Sequence, residues 1–338
     1  MRFAHRSLSL AITSVLVLAP STRAVTPSHE ITSGGHVQRP WRAAPVHLMS
    51  KVSQDIVDAV IADSTVVVTL GVGMPRPDPN ASGPATAVLV GSRVFLFDAG
   101  SGVMRQLAAA HLPINGVTAL FITHLHSDHT LGLPDLILTS WVMGRKSALS
   151  AYGPHGLQAM TTHILEAWKI DEDVRTNGLE HEPANGYAVN VHEIQPGVVY
   201  DSGGVRISAI PVLHGSLKEA YAYRIDTPTR SVVISGDTRP SDALLAASRN
   251  VDVLVHEVYS AAKLAPEKRP GGDDWPRYMH EFHTSDVELG KIAAEAKPKL
   301  LVLTHIIRMG ASDEDLIRGV RAGGFAGHVV VGHDLARY

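Results

Sequence analysis

The chain has 338 residues, 45% of them hydrophobic and 19% charged, with no cysteine and a formal net charge of −3. This composition excludes a disordered tail, a disulfide-stapled scaffold and any thiolate metal site. Lys and Arg are dispersed, with pairs such as Arg145-Lys146 and Lys268-Arg269 but no basic run, so no nucleic-acid partner is expected.

In chain order, Arg2 and Arg6 precede an apolar run over 8–19, followed by small residues up to Ala24. That pattern predicts a secretory signal peptide over 1–24. The apolar run is shorter than the ~20 residues that a membrane span needs, so the alternative is an uncleaved anchor. Cleavage removes Arg2, Arg6 and Arg23 and no acid, moves the formal charge from −3 to −6, and puts the mature protein in the periplasm or outside the cell. Residues 25–62 read as an N-terminal leader ending in a helix over 49–62, with Val52, Ile56 and Val60 at helical spacing. Residues 63–338 read as one large domain.

Strands dominate the start of that domain, at 65–70, 86–90 and 94–97, the last two forming a hairpin around Gly91-Ser92. Further strands are predicted at 117–122, 205–213, 220–225, 231–234, 251–255, 300–303 and 329–331. Helical spacing fits 103–111, 133–142, 156–168, 241–249, 284–296 and 313–320. The Pro- and Gly-rich stretch 266–276 reads as a loop over the site, and no internal repeat is visible. Mixed strands and helices of this order predict an α/β sandwich with the sheets inside.

The stretch FITHLHSDHTLG places His124, His126, Asp128 and His129 within six residues, directly after a buried-looking strand. Imidazole and carboxylate are ligands for zinc and related ions. His124 and His126, two apart in extended backbone, can share one ion, and Asp128 and His129 can turn toward a second. Four ligands on one turn cannot complete two shells. Three further candidates follow apolar strands: His214, Asp237 in SGDT, and His305 in LTH. His155, His163, His181, His192, His328 and His333 show no ligand pattern.

HxHxDH followed by an isolated His, a strand-end Asp and a last His resembles the ligand series of the metallo-β-lactamase superfamily. The resemblance spans about 66–334 and implies a four-layer αβ/βα sandwich with a two-metal site at one edge of its sheets. It assigns one ion to His124, His126 and His214 and the other to Asp128, His129 and His305, with Asp237 bridging. Zinc is the expected metal, with manganese or iron as alternatives. The context of His214, the Val255-His256-Glu257-Val258 element and His283-Thr284-Ser285 resemble the ribonuclease Z branch. However, only 22 residues (215–236) separate His214 from Asp237, where the tRNA nucleases carry a protruding arm. The expected function is therefore an exported dinuclear zinc hydrolase of a small-molecule ester, an aryl sulfate or a phosphodiester, acting through a water activated between the ions. The alternatives are a ribonuclease Z-type nuclease, a lactonase or β-lactamase-like hydrolase, and a non-catalytic zinc-binding protein. His283 is expected to protonate the leaving group, with His280 as competitor. Glu257 is expected to orient His283, and Asp128 to double as proton acceptor. His256 reads as structural. Trp141, Met143, Trp168 and Trp275 are candidates either for an apolar substrate pocket or for core packing.

Overall fold

Strands that are apolar on both faces can satisfy themselves only between two layers, and that requirement organises this chain. The computed structural model describes residues 64–266 and 274–338. The predicted signal peptide, the leader with its helix, and most of the 266–276 loop lie outside the described residues. Among the described residues no helix is long and apolar enough to cross a membrane.

One sheet contains β1 (Thr65–Gly71), β2 (Ala85–Val90), β3 (Arg93–Phe97), β4 (Val117–Phe121), β5 (Leu149–Gly153) and β6 (Val189–Glu193). The other runs β7 (Gly197–Ser202), β8 (Val205–Pro211), β9 (Tyr221–Asp226), β10 (Ser231–Ile234), β11 (Val253–Tyr259), β12 (Leu300–Ile307) and β13 (His328–Val331). A last strand, β14 (Ala336–Arg337), returns to pair with β1, giving each sheet seven strands. Both sheets start with antiparallel neighbours, β1-β2-β3 and β7-β8-β9-β10. Both finish with parallel ones, β3-β4-β5-β6 and β10-β11-β12-β13. The chain thus carries a structural near-repeat that no sequence period announces.

Three apolar clusters fill the three interfaces of a four-layer sandwich. Phe95, Phe97 and Phe121 of the first sheet meet Tyr223, Ile225 and Val255 of the second. On the outer face of the first sheet, Leu96 and Leu120 pack on Leu107 of α1 (Val103–Ala109) and Leu136 of α3 (Leu133–Val142); α2 (Ser127–Thr130) is a single turn between them. α4 (Leu157–Ala167) joins this layer through Leu157, and α5 (Lys169–Asn177) and α6 (Ala184–Tyr187) continue the chain from it. On the far face of the second sheet, Leu254 and Leu301 pack on Leu244 of α7 (Asp242–Ala247), and, past α8 (Trp275–Phe282), on Leu289 of α9 (Asp286–Ala296) and Leu316 of α10 (Asp313–Ala322). Alternation along β4 explains the split: Leu120 and Ile122 face helices, whereas Ala119 and Phe121 face the other sheet.

The strands and helices predicted over 65–331 are present, and the four-layer α/β sandwich is the observed fold. The elements not foreseen include α2, β5, β6, β7, α5, α6, α8 and β14. β7 lies at a sheet edge with most of its residues exposed, so it lacks the apolar run that marks a strand. α8 was taken in part for loop because it opens on Trp275-Pro276. Proline suits a first helical turn, and the Asp274 side chain caps that turn by accepting from the Arg277 N–H.

Two contacts tie the sheets together beside the end of β4. The Tyr223 hydroxyl donates to the Ile122 carbonyl at 2.7 Å, and the Tyr221 N–H donates to the Thr123 carbonyl at 2.9 Å. The crossing is so close that a Cβ on Gly236 would lie 2.8 Å from Thr123 Cβ and 2.9 Å from the Tyr221 oxygen, at φ +57°. Glycine is required there. Phe121 stacks on Phe97 at 5.1 Å and on Tyr152 at 4.9 Å in the same interface. Phe121→Ala is expected to cost about 3–5 kcal/mol through the cavity it leaves, read as a lower urea midpoint with an unchanged slope.

Candidate metal centre

The turn after β4 leaves the first sheet at Ile122 and begins α2 at Ser127, which brings His124, His126, Asp128 and His129 to the edge between the sheets. Facing it are His214, just past β8, and Asp237, three residues past β10. His305 lies inside β12 rather than at its end, as the shorter predicted strand had it. There Thr304 pairs with Glu257 and Ile306 with Val258, leaving His305 as an unpaired bulge residue at φ +41°. A bulge re-aims a side chain without ending the strand, and here it turns the imidazole toward Asp128 and Asp237.

All seven predicted ligands come together. Ligand atoms of His124, His126 and His214 lie within 4.8 Å of one another, as do those of Asp128, His129 and His305. Asp237 stands between the trios. Its Oδ2 is 3.9 Å from His124 Nε2, 3.8 Å from His214 Nε2 and 3.3 Å from His305 Nε2, and its Oδ1 is 3.4 Å from His129 Nε2. His126 Nδ1 and His214 Nε2 approach to 3.1 Å. Among the described residues His124 Nε2, His129 Nε2 and Asp237 Oδ1 are buried with no hydrogen-bond partner. Buried polar atoms left bare and converging are what a missing cation would satisfy, so the residues fit a pair of divalent ions.

A second set of contacts orients these rings. Asp98, the first residue past β3 and at φ +60°, accepts from His129 Nδ1 at 2.8 Å and from the Thr123 N–H at 2.8 Å. Thr123 Oγ1 donates to the Asp98 carboxylate at 2.9 Å, which makes it the acceptor for His124 Nδ1 at 3.0 Å. His214 Nδ1 donates to the Phe282 carbonyl at 2.7 Å. Each of these bonds leaves the other ring nitrogen for a metal. Asp98 and Thr123 were missed in the sequence. The available signal was a buried acid and a hydroxyl at the ends of adjacent parallel strands.

Electrostatics follow from burial. Burial, then neighbouring His129, hold His124 well below the ordinary imidazole value, and burial pushes His214 down to about 4. Burial works to raise Asp237, but His305 and His129 pull it well below the usual carboxylate range. His129 is pushed down by burial yet raised well above its ordinary value by Asp237 and Asp98. His124 and His214 are thus held neutral beside an ionised carboxylate, the protonation state that metal binding needs, whereas the proton that Asp237 and Asp98 favour on His129 is one that a bound cation would displace.

Beside the trios, His283 Nδ1 bonds Glu257 Oε2 at 2.9 Å, and the Thr238 N–H donates to Glu257 Oε1 at 2.6 Å. Burial, then the charge of Asp237, raise Glu257 well above the carboxylate range, and burial lowers His283. His283 lines an open cleft. His280 is exposed, with its Nδ1 against the Tyr259 hydroxyl at 3.2 Å, and does not join the site. His256 is buried with Nδ1 on the Glu257 carbonyl, a structural position as read. Trp141 is wholly buried, with its Nε1 on the Pro183 carbonyl, and belongs to the core. Met143 and Trp168 are exposed, and Trp275 lines the cleft beside His283.

The profile of the Beta-lactamase superfamily domain matches residues 93–306. Ribonuclease Z of Mycobacterium sp. (strain KMS) is 35% identical over 278 residues, which cover 80% of this chain and 94% of that protein. Ribonuclease Z of Mycobacterium bovis (strain BCG / Pasteur 1173P2) is 33% identical over 80% of this chain and 96% of its own length. Among solved structures, the metallo-beta-lactamase fold protein YhfI from Bacillus subtilis superposes with a TM-score of 0.63 at 21% identity, covering 82% of this chain and 99% of that one. The short form of human tRNase Z gives 0.61 at 21% identity, covering 81% and 98%. These structures support the fold. The relatives overturn the expectation that nucleic acid is excluded. That expectation rested on dispersed Lys and Arg, which report counterion release along a backbone, whereas a phosphate held between metal ions needs no basic run to neutralise it.

Asp98→Ala is expected to weaken metal binding at both trios by about 10–100-fold, since Asp98 holds His129 directly and His124 through Thr123, read by chelator competition and metal analysis.

Proposed function

The chain belongs to the metallo-β-lactamase superfamily, in its ribonuclease Z branch, and from that premise we propose that it is a two-metal phosphodiesterase acting on a diester of a nucleic-acid chain. One observation carries the reading: the His283–Glu257 pair stands against the bridging carboxylate, His283 Nδ1 lying 4.0 Å from Asp237 Oδ2, and opens onto a cleft. An acid poised beside a two-ion site suits a reaction whose leaving group is a poor, unactivated alkoxide. The relatives named ribonuclease Z favour this reading over the aryl-sulfate one.

The two trios would hold divalent ions, whose positive charge would favour ionisation of a water and stabilise charge building on the phosphate. The protein does the rest. Asp128, whose Oδ2 faces His305 and His129 at 3.2 and 3.5 Å, takes the proton of the attacking water on its carboxylate. Glu257 fixes the ring of His283 through Nδ1, which leaves Nε2 to give a proton to the departing oxygen. Asp237 and the imidazoles around it exclude bulk water, since every one of them except His126 is buried.

His283→Ala is expected to lower kcat by about 100-fold or more on a nucleoside leaving group, but by under about tenfold on p-nitrophenolate, which departs unprotonated. Equal losses on both, with metal content intact, would remove His283 from proton transfer. Dialysis against a chelator should abolish hydrolysis of bis-p-nitrophenyl phosphate, and readdition of zinc, manganese or iron in turn shows which metal restores it.

Export belongs to the same proposal. Its support is the basic start, the apolar run and the small residues ending at Ala24. Protein recovered outside the cytoplasm of the native host should begin at Val25, whereas an intact Met1 would discard the leader.

A further inference from the structure

Phosphodiester hydrolysis divides a substrate into the part that keeps phosphate and the part that leaves with oxygen, and two different clefts reach the metal centre. One, of about 640 Å³, reaches it at Asp128. The other, of about 660 Å³, reaches it at His283. The second has walls of a particular kind. On one side α8 presents Trp275 and Tyr278, with parallel rings 5.2 Å apart at 7°. The stack continues to Phe282, 4.3 Å from Tyr278 at 17°, and Phe282 packs edge-on against His214 at 5.1 Å. Met74, Ile307 and Met309 line the cleft as well, packed in one apolar cluster with Trp275. Arg76 and Lys263 lie at its rim, and neither forms an ion pair among the described residues.

We propose that this cleft is the subsite for the nucleoside that departs, its base packing against the aromatic ladder and the two thioethers, with Arg76 and Lys263 meeting the next phosphate. The inference rests on the phosphodiesterase reading and adds to it a base-binding site and a direction. Aromatic and thioether walls accept any flat π-surface, which matches stacking without base-edge readout. The two cations match a phosphate and would be idle against an uncharged ester. The direction follows from His283: a group that protonates the leaving oxygen must adjoin the leaving half. Gly215 keeps this wall close, because a Cβ there would fall 1.9 Å from the Phe282 ring.

The test uses the full chain with metal and three diesters: a dinucleotide, its analogue lacking the base on the departing nucleoside, and its analogue lacking the other base. Losing the departing base should raise KM about tenfold or more, and losing the other base should change it far less. Tyr278→Ala should raise KM for the dinucleotide to the same degree and add nothing further once the departing base is gone, while Tyr278→Phe restores the wild-type value. Binding of the same three diesters to metal-free protein, followed by calorimetry, supplies a readout independent of turnover and should rank them in the same order. Equal KM values for both base-lacking analogues, or equal binding of all three diesters, would overturn the subsite. Failure of the metal-loaded protein to cleave any diester, with the base preference in binding preserved, would instead strike the phosphodiesterase reading and leave the base site standing.

Discussion

A carboxylate only 3% exposed, with imidazoles of five residues within 4 Å, is the constraint around which this protein is arranged. An ionised Asp237 at that depth is costly unless positive charge compensates it. The neighbouring imidazoles do part of this, and the bare nitrogens around it fit cations that would do the remainder. Such a cluster can be held only by a scaffold that does not relax. Two sheets locked by interdigitated aromatics, with β4 and β9 hydrogen-bonded across the divide, provide it.

The same arrangement explains why ligands arrive from so many places in the chain. Each parallel or hairpin-linked strand ends at a common edge, so residues separated by up to 181 positions, from His124 to His305, fall within one coordination volume. Strand ends place their side chains rigidly, and the loops that follow are free to differ. The walls of the cleft beside His283, from the segment around Met74 and from α8, lie in the connections that follow β1 and β11.

Several features were open to reading without coordinates because their causes are local. The strands at 65–70, 117–122 and 300–303 are largely apolar because both faces are covered. The turn at 124–129 crowds four donors for which a surface loop has no use. The site residues that escaped notice, Asp98 and Thr123, act through single hydrogen bonds to rings 31 and one residues away. An Asp after a strand or a Thr before a His has too many other uses to stand out. α8 was obscured by prolines, and β7 by its exposure. The exclusion of nucleic acid failed because net charge describes a whole surface, whereas a diester at a metal centre is bound by a few atoms.

By itself, then, the order of residues determined the sandwich and the seven candidate donors, since burial periodicity and donor spacing are properties of short segments; their division into two trios with Asp237 between them rested on resemblance. It also singled out His283 and Glu257, through resemblance rather than through spacing. Tertiary structure alone decided that His305 enters on a bulge, that Asp98 and Thr123 choose the tautomers of His129 and His124, and that Trp275, Tyr278 and Phe282 form one stacked wall beside His283. Each of those depends on the distance between segments far apart in the chain, which no local pattern encodes.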